Sequence, residues 1–318
     1  MSESVNGAVR SSGVSSLKIE HGDYRAEVVP RGAGLRLLEI GGRLLTETSP
    51  AGEKPPLSAG LVLAPWPNRI RDGYFIFDGV EHQLAITEPA RNNAIHGLVR
   101  RDDWELEEHT PNRVRQSIRL GLHKGWPYPL QLTTTHELGP AGLTVTHTAE
   151  NIGAMPAPFG MGVHTFVRAG DTPLDECTLR LTAGTRLPLD QERMLPVGNS
   201  ESVYGTDFDF TAPRSLDGVW LDTPFSSIVP DPDGRARHEL RAPDGSGAVL
   251  WTDRQFGWIQ VFTADPERGQ GYPGRGRALA IEPMSCPPDR STTWSMPVLN
   301  ASGGQVIGSI ASARPRPG

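Results

Sequence analysis

The chain has 318 residues with 36 Gly and 29 Pro, together about a fifth of the sequence where average proteins hold roughly an eighth. Gly and Pro cost about 1 and 3 kcal/mol inside a helix yet suit tight turns, which excludes a helical bundle and predicts many short strands. The net charge is -6 with basic residues scattered, and no apolar run approaches the roughly 18 residues of a membrane span, so neither nucleic acid nor a membrane is expected as a partner.

Residues 1–16 lack the basic and apolar regions of a signal peptide and read as a disordered lead. From Leu17 onward, turn signals recur between apolar or alternating stretches. Gly41-Gly42 separates Leu35-Arg36-Leu37-Leu38 from Leu44-Leu45, and Asp78-Gly79 separates Tyr74–Phe77 from Val80–Leu84. The Asp-Gly pair suits the positive φ angles of a type I′ hairpin. Gly139-Pro140-Ala141-Gly142 divides the Thr-rich run Leu132–Leu138 from Leu143–Thr148, where alternation puts Leu143 and Val145 on one face. Asp233-Gly234 and Asp244-Gly245 bracket Arg237–Ala242 and precede Ala248–Trp251, and Gln305–Ile310 alternates again near the end. No stretch of a dozen residues carries a capped 3.6-residue apolar stripe, so the expectation is meandering antiparallel sheet with few, short helices. One domain over residues 17–312 and a solvated tail at 313–318 are expected. Cys177 and Cys286 show no metal-ligand spacing, which fits a reducing, cytoplasmic setting.

Among nine histidines, His21 and His238 lie in polar stretches, and His82 and His123 read as strand or turn residues. His96, before Gly97, and His164, after Gly160 and Gly162, sit beside small residues that permit close approach of another group. Glu282 ends the apolar run Ala278–Ile281. Two histidines and a carboxylate can carry acid/base chemistry, because His titrates near neutrality and a buried Glu can be tuned to accept a proton. They could equally bind iron as a two-His, one-carboxylate triad, but no His-x-His, His-x-Asp/Glu or His-Glu-x-x-His spacing supports metal, and metal-free chemistry is the expectation. Arg69, after Asn68, and Asp217, before Gly218, have the donors and acceptors to grip vicinal hydroxyls, while a surface Arg and a turn Asp are the plainer readings. Trp66, Trp126, Trp220 and Trp258 are candidate stacking faces for a sugar ring, or core. Nucleotide-binding glycine patterns and the Gly-x-Ser-x-Gly elbow are absent.

The order of these pieces resembles the aldose 1-epimerase (galactose mutarotase) family from about Leu17 to Asn300. The resemblance rests on Pro67-Asn68-Arg69-Ile70, Asn92-Asn93 before His96-Gly97, Gly125-Trp126-Pro127, Asn151-Ile152-Gly153, and Ala157-Pro158-Phe159-Gly160 leading to His164. Leu216-Asp217, Trp251-Thr252-Asp253 and Ile281-Glu282-Pro283-Met284 with Pro287-Pro288-Asp289 complete it. It implies a large all-β, antiparallel β-sandwich holding a free hexose, with Glu282 as general base and His164 as general acid. It also implies substrate contacts from Asn68, Arg69, His96 and Asp217, with Asn68 orienting Arg69. No cofactor and no metal are implied, and the partner is a small sugar bound by a monomer or homodimer. Departures from the family pattern, at Ala64-Pro65, at Thr165-Phe166-Val167 after His164 and at Gly218 after Asp217, lie where hydroxyl specificity is set. The family's usual Trp near Gly308-Ser309-Ile310 is also missing. A hexose 6-phosphate or modified sugar, or a non-catalytic carbohydrate-binding module, are therefore the alternatives.

Overall fold

The computed structural model describes residues 16–289 and 300–310. Ser16 is tied down, its hydroxyl donating to Glu27 at 2.8 Å, and the rest of the expected lead and the expected tail lie outside the described residues. Among the described residues the helices are four 3₁₀ turns of three residues each, and every ladder between strands is antiparallel, as the turn-rich composition predicts.

The strands form a nine-stranded, an eight-stranded and a four-stranded sheet, with two small two-stranded ribbons. The long hairpin Leu130–Gly139 with Gly142–Asn151 pairs Gly139 with Gly142, so Pro140-Ala141 is the two-residue turn. Leu143, Val145, His147 and Ala149 face inward while Thr144, Thr146, Thr148 and Glu150 face water, the period-two pattern of a sheet covered on one side. Asp78 and Gly79 adopt φ 49° and 74°, the two positive angles a type I′ turn requires. The turns at Gly41-Gly42 and Asp244-Gly245 also join the strands expected of them.

The main core lies between the nine- and eight-stranded sheets, where Val145, Leu240 and Leu250 meet Phe225, Val261 and Ile281, and the four-stranded sheet adds Ile19, Val28 and Leu38. Such burial yields about 1.5–3 kcal/mol per large side chain, enough to order these layers without disulfides, and both cysteines are buried outside any disulfide. A second cluster, rich in aromatics, joins Trp66, Phe75, Trp126 and Tyr128. The expectation for His238 is corrected here. It alternates inward on Ala236–Arg241 and is fully buried beneath the sheet, its Nδ1 accepting from the Thr182 amide at 3.4 Å.

Candidate active site

The two central strands of the eight-stranded sheet, Trp258–Ala264 and Ala278–Met284, send alternate side chains to opposite faces. Ile259, Val261, Leu279 and Ile281 enter the main core, whereas Gln260, Phe262 and Glu282 line a cavity on the other face. That cavity encloses about 750 Å³ of space, part of it open to solvent. Gln260 and Glu282 are direct partners across the two strands, which sets the carboxylate beside an amide on the cavity floor.

Loops bring the remaining groups over this floor. The His164 backbone is clamped to the segment before Val62–Leu63, its carbonyl accepting from Gly60 N at 2.8 Å and its amide donating to Leu61 O at 3.1 Å. Gly162 permits this approach, because a Cβ there would sit 2.9 Å from Pro67 Cβ and 2.8 Å from Pro283 O. Asn68 and His96 flank the short ribbon of Arg69–Arg71 with Asn93–Ile95. Both adopt left-handed backbone, φ 53° and 62°, and His96 N donates to Asn68 O at 2.8 Å. Non-glycine residues hold that conformation at a cost of about 1–3 kcal/mol and cluster at functional sites. Gly97 has no alternative: its φ is 67° and a Cβ would meet Ala64 O at 2.0 Å.

His164 Nε2 lies 3.4 Å from Glu282 Oε1, and its ring stacks on Phe166 and meets His96 edge-on. Burial pushes the His164 imidazole down to about 3, with repulsion from Arg100 added. Burial raises the Glu282 carboxyl well above its usual value, Asp222 raising it further and Arg69 opposing. Each group alone is therefore driven toward its uncharged form. His96 Nδ1, His164 Nδ1 and Glu282 Oε2 are buried without a partner among the described residues, the pattern of groups awaiting a polar ligand.

A polar chain runs along the floor. Asn68 Nδ2 donates to Gln260 Oε1 at 3.1 Å, and Gln260 Nε2 donates to Asp222 Oδ1 at 2.6 Å. Burial raises the Asp222 carboxyl, against the pull of Arg69 and the Gln260 hydrogen bond. Arg69 donates twice to Glu88, at 2.8 and 3.0 Å, a planar fork that fixes its orientation. Desolvation lifts the Glu88 carboxyl, but hydrogen bonds from Arg69 and Asn93 and the charges of Arg69 and Arg91 hold it below the usual range.

Of the residues singled out from the sequence, Asn68, Arg69, His96, His164 and Glu282 share this one cavity. Asp217 does not: it is exposed in the turn after Arg214–Ser215, followed by Gly218 at φ 64°. The carboxylate that does line the cavity is Asp222, at the start of Asp222–Ile228. The sequence holds two Leu-Asp pairs five residues apart, with Leu216 and Leu221 both buried, and only the second Asp opens a strand. The turn dipeptide Asp217-Gly218 was the available sign. The tryptophans are also displaced: Trp66 and Trp126 are core, Arg268 covers Trp220, and neither Trp220 nor Trp258 lines the cavity, where Phe262 supplies the aromatic face. Glu88, Arg100 and Gln260 were not anticipated, although a buried Gln amid the apolar Trp258–Ala264 was a legible anomaly. Among the described residues, no three His, Cys, Asp or Glu side chains converge as metal ligands.

A family model described as aldose 1-epimerase matches residues 15–303. The chain is 32% identical over 275 residues to the uncharacterized protein YihR of Escherichia coli K12, covering 86% of this chain and 85% of that protein. Human galactose mutarotase is 30% identical over 165 residues, 49% of this chain and 46% of that one. Among solved structures, a GalM/aldose epimerase homologue from C. elegans superposes with TM-score 0.80 at 19% identity, covering 94% of this chain and 99% of that chain. Galactose 1-epimerase from Lactobacillus acidophilus gives TM-score 0.78 at 18% identity, covering 93% and 94%. At those identities the structural likeness speaks to fold.

Proposed function

The chain belongs to the aldose 1-epimerase family, and from that premise we propose that it interconverts the α and β anomers of a free hexose, such as galactose or glucose, without a cofactor. The observation that carries this reading is the contact of 3.4 Å between His164 Nε2 and Glu282 Oε1 on the floor of an open cavity. Glu282 takes the proton from the anomeric hydroxyl while His164 gives one to the ring oxygen, which opens the ring to an aldehyde. Rotation about C1–C2 presents the other carbonyl face, and closure returns both protons. No electrons move, so no redox group is required.

The electrostatics support this direction of transfer. Opening leaves Glu282 protonated and His164 neutral, which is the state that burial favours for each. A carboxylate with raised proton affinity is a stronger base, and an imidazolium with lowered affinity a stronger acid. Asn68, Arg69 and His96 supply donors for sugar oxygens, and Asp222, rather than Asp217, accepts from a hydroxyl. A pocket that only binds sugar has no need of an acid and base in contact.

Anomer exchange measured by magnetisation-transfer NMR at equilibrium tests the proposal: the protein should accelerate exchange of at least one aldose far above buffer, and no acceleration across a panel of aldoses would end it. Within that assay, Asp222→Asn should lower kcat/KM by about tenfold or more, the value of a hydrogen bond to a charged acceptor. Asp217→Asn, on the exposed turn, should stay within about twofold. The reverse ranking would return the substrate carboxylate to the turn.

A further inference from the structure

We propose that the preferred sugar carries an anionic group on C6, held by Arg100; this rests on the anomer-exchange reading above. Arg100 lines the cavity, and its Nη1 donates to Ser58 Oγ at 3.1 Å. The other two arginines of the wall, Arg69 and Arg91, share the Glu88 carboxylate, but among the described residues no carboxylate pairs with Arg100. Burial and the neighbouring Arg101 lower its guanidinium to about 10, so the charge persists at neutral pH without a protein counter-ion. A half-buried, unpaired cation is costly unless a ligand completes it. The residues beside it are also held in place. Leu57 and Ser58, both on the cavity wall, adopt consecutive left-handed conformations, φ 50° and 62°. Such strain persists where surrounding structure imposes it, and it presents the Ser58 hydroxyl to Arg100.

The position on the sugar follows from the backbone that carries Ser58, the partner of Arg100: just beyond it, Gly60 N donates to His164 O at 2.8 Å and Leu61 O accepts from His164 N at 3.1 Å. Arg100 repels protons from both His96 and His164, whereas Glu282 feels Asp222 and Arg69 instead. The cation thus stands on the imidazole side of the cavity. With His164 at the ring oxygen and Glu282 at the anomeric hydroxyl, the imidazole side receives C5, which is bonded to the ring oxygen, and with it the C6 branch. A carboxylate, phosphate or sulfate at C6 would lie against the guanidinium fork, whose planar donors match two oxygens of such a group. The same anion would cancel the repulsion that Arg100 exerts on His164, so the substrate itself would favour the protonated imidazole that ring opening needs.

The full chain should be tested with glucose and galactose against glucose 6-phosphate, glucuronate and glucose 6-sulfate, measuring exchange by NMR and affinity by calorimetry at low salt. At least one anionic sugar is expected to exceed both neutral sugars by about tenfold or more in kcat/KM and in affinity, and the best of the three identifies the oxyanion. Arg100→Gln should lower the anionic-to-neutral ratio about tenfold or more, with Arg100→Lys recovering part of it. Neutral sugars matching or beating all three anions in the wild-type protein would overturn the proposal even if the variant fails to fold, as would an unchanged ratio in a folded Arg100→Gln. Preferential binding of an anionic sugar with no turnover of any sugar would instead reject the anomer-exchange reading and retain the Arg100 site.

Discussion

Glu282→Gln should lower kcat for anomer exchange by about 10²–10⁴ while leaving the fold intact, the range typical of removing one positioned proton-transfer group. The amide matches the carboxyl in shape and, like the protonated acid that burial favours, carries no charge, so the sheet around it has nothing to relieve. His164→Asn should produce a fall of similar size, since either member without the other can complete only one of the two transfers. Near-normal rates in a folded Glu282→Gln protein would reject the base assignment.

The pH dependence provides a second reading of the same pair. The proposed ring opening requires the pair to hold one proton between its two groups. Acid adds a second proton at His164, whose affinity is lowered to about 3, and alkali removes the last one from Glu282, whose affinity is raised well above 4.5. The kcat/KM profile should therefore be bell-shaped, with an acid limb far below 6.5 and macroscopic midpoints that belong to the pair rather than to either residue. An acid limb near 6.5, as an exposed imidazole would give, contradicts the coupling.

Three buried imidazoles should also withdraw about 4 kcal/mol of stability between pH 7.5 and 5.5, a large share of the roughly 5–15 kcal/mol typical of folded domains. His136, His147 and His238 are buried away from the cavity, and burial lowers them to about 3, 4 and 3, with His147 adding repulsion at His136 and Arg180 at His238. Thr134 Oγ1 lies 3.0 Å from His147 Nδ1, but His136 Nδ1, His147 Nε2 and His238 Nε2 have no partner among the described residues, so nothing there rewards a charge. Folded affinities lie below the unfolded value near 6.5, so the unfolded chain binds protons first. Stability is then complete above pH 6.5 and declines as pH falls toward the folded values, at about 1.4 kcal/mol per unit for each imidazole. At the cavity, His96 and His164 are lowered whereas Asp222 and Glu282 are raised, so the two pairs act on stability in opposite directions as pH falls. Urea unfolding at the two pH values checks this. A midpoint that does not move would mean that these imidazoles are already protonated, or free to be so, in the folded state.

Hairpins were legible in the sequence because their cause is local. Asp78-Gly79 supplies two positive φ angles at adjacent positions, and the alternation from Leu143 to Ala149 repeats every two residues whatever lies above the strand. His96 and His164 could be found for a related reason, since the residues that allow their approach, Gly97, Gly160 and Gly162, are written beside them, and Glu282 because it is a carboxylate that ends an apolar run. Asp217 shows where local reading stops. Leu216-Asp217 and Leu221-Asp222 are the same dipeptide, and the difference lies in pairing: Asp222 stands opposite Phe262 at the start of Asp222–Ile228, while Asp217 is exposed in the turn after Arg214–Ser215.

By itself, then, the order of residues determined an antiparallel, turn-punctuated sheet protein and singled out a histidine and a carboxylate from separate segments, because turns and alternation depend on neighbours one to three positions away. The tertiary structure alone decided which carboxylate lines the cavity, which of its arginines has no carboxylate partner among the described residues, and in which direction burial shifts His164 and Glu282. Those properties arise from strand register and desolvation, which depend on residues dozens to hundreds of positions apart.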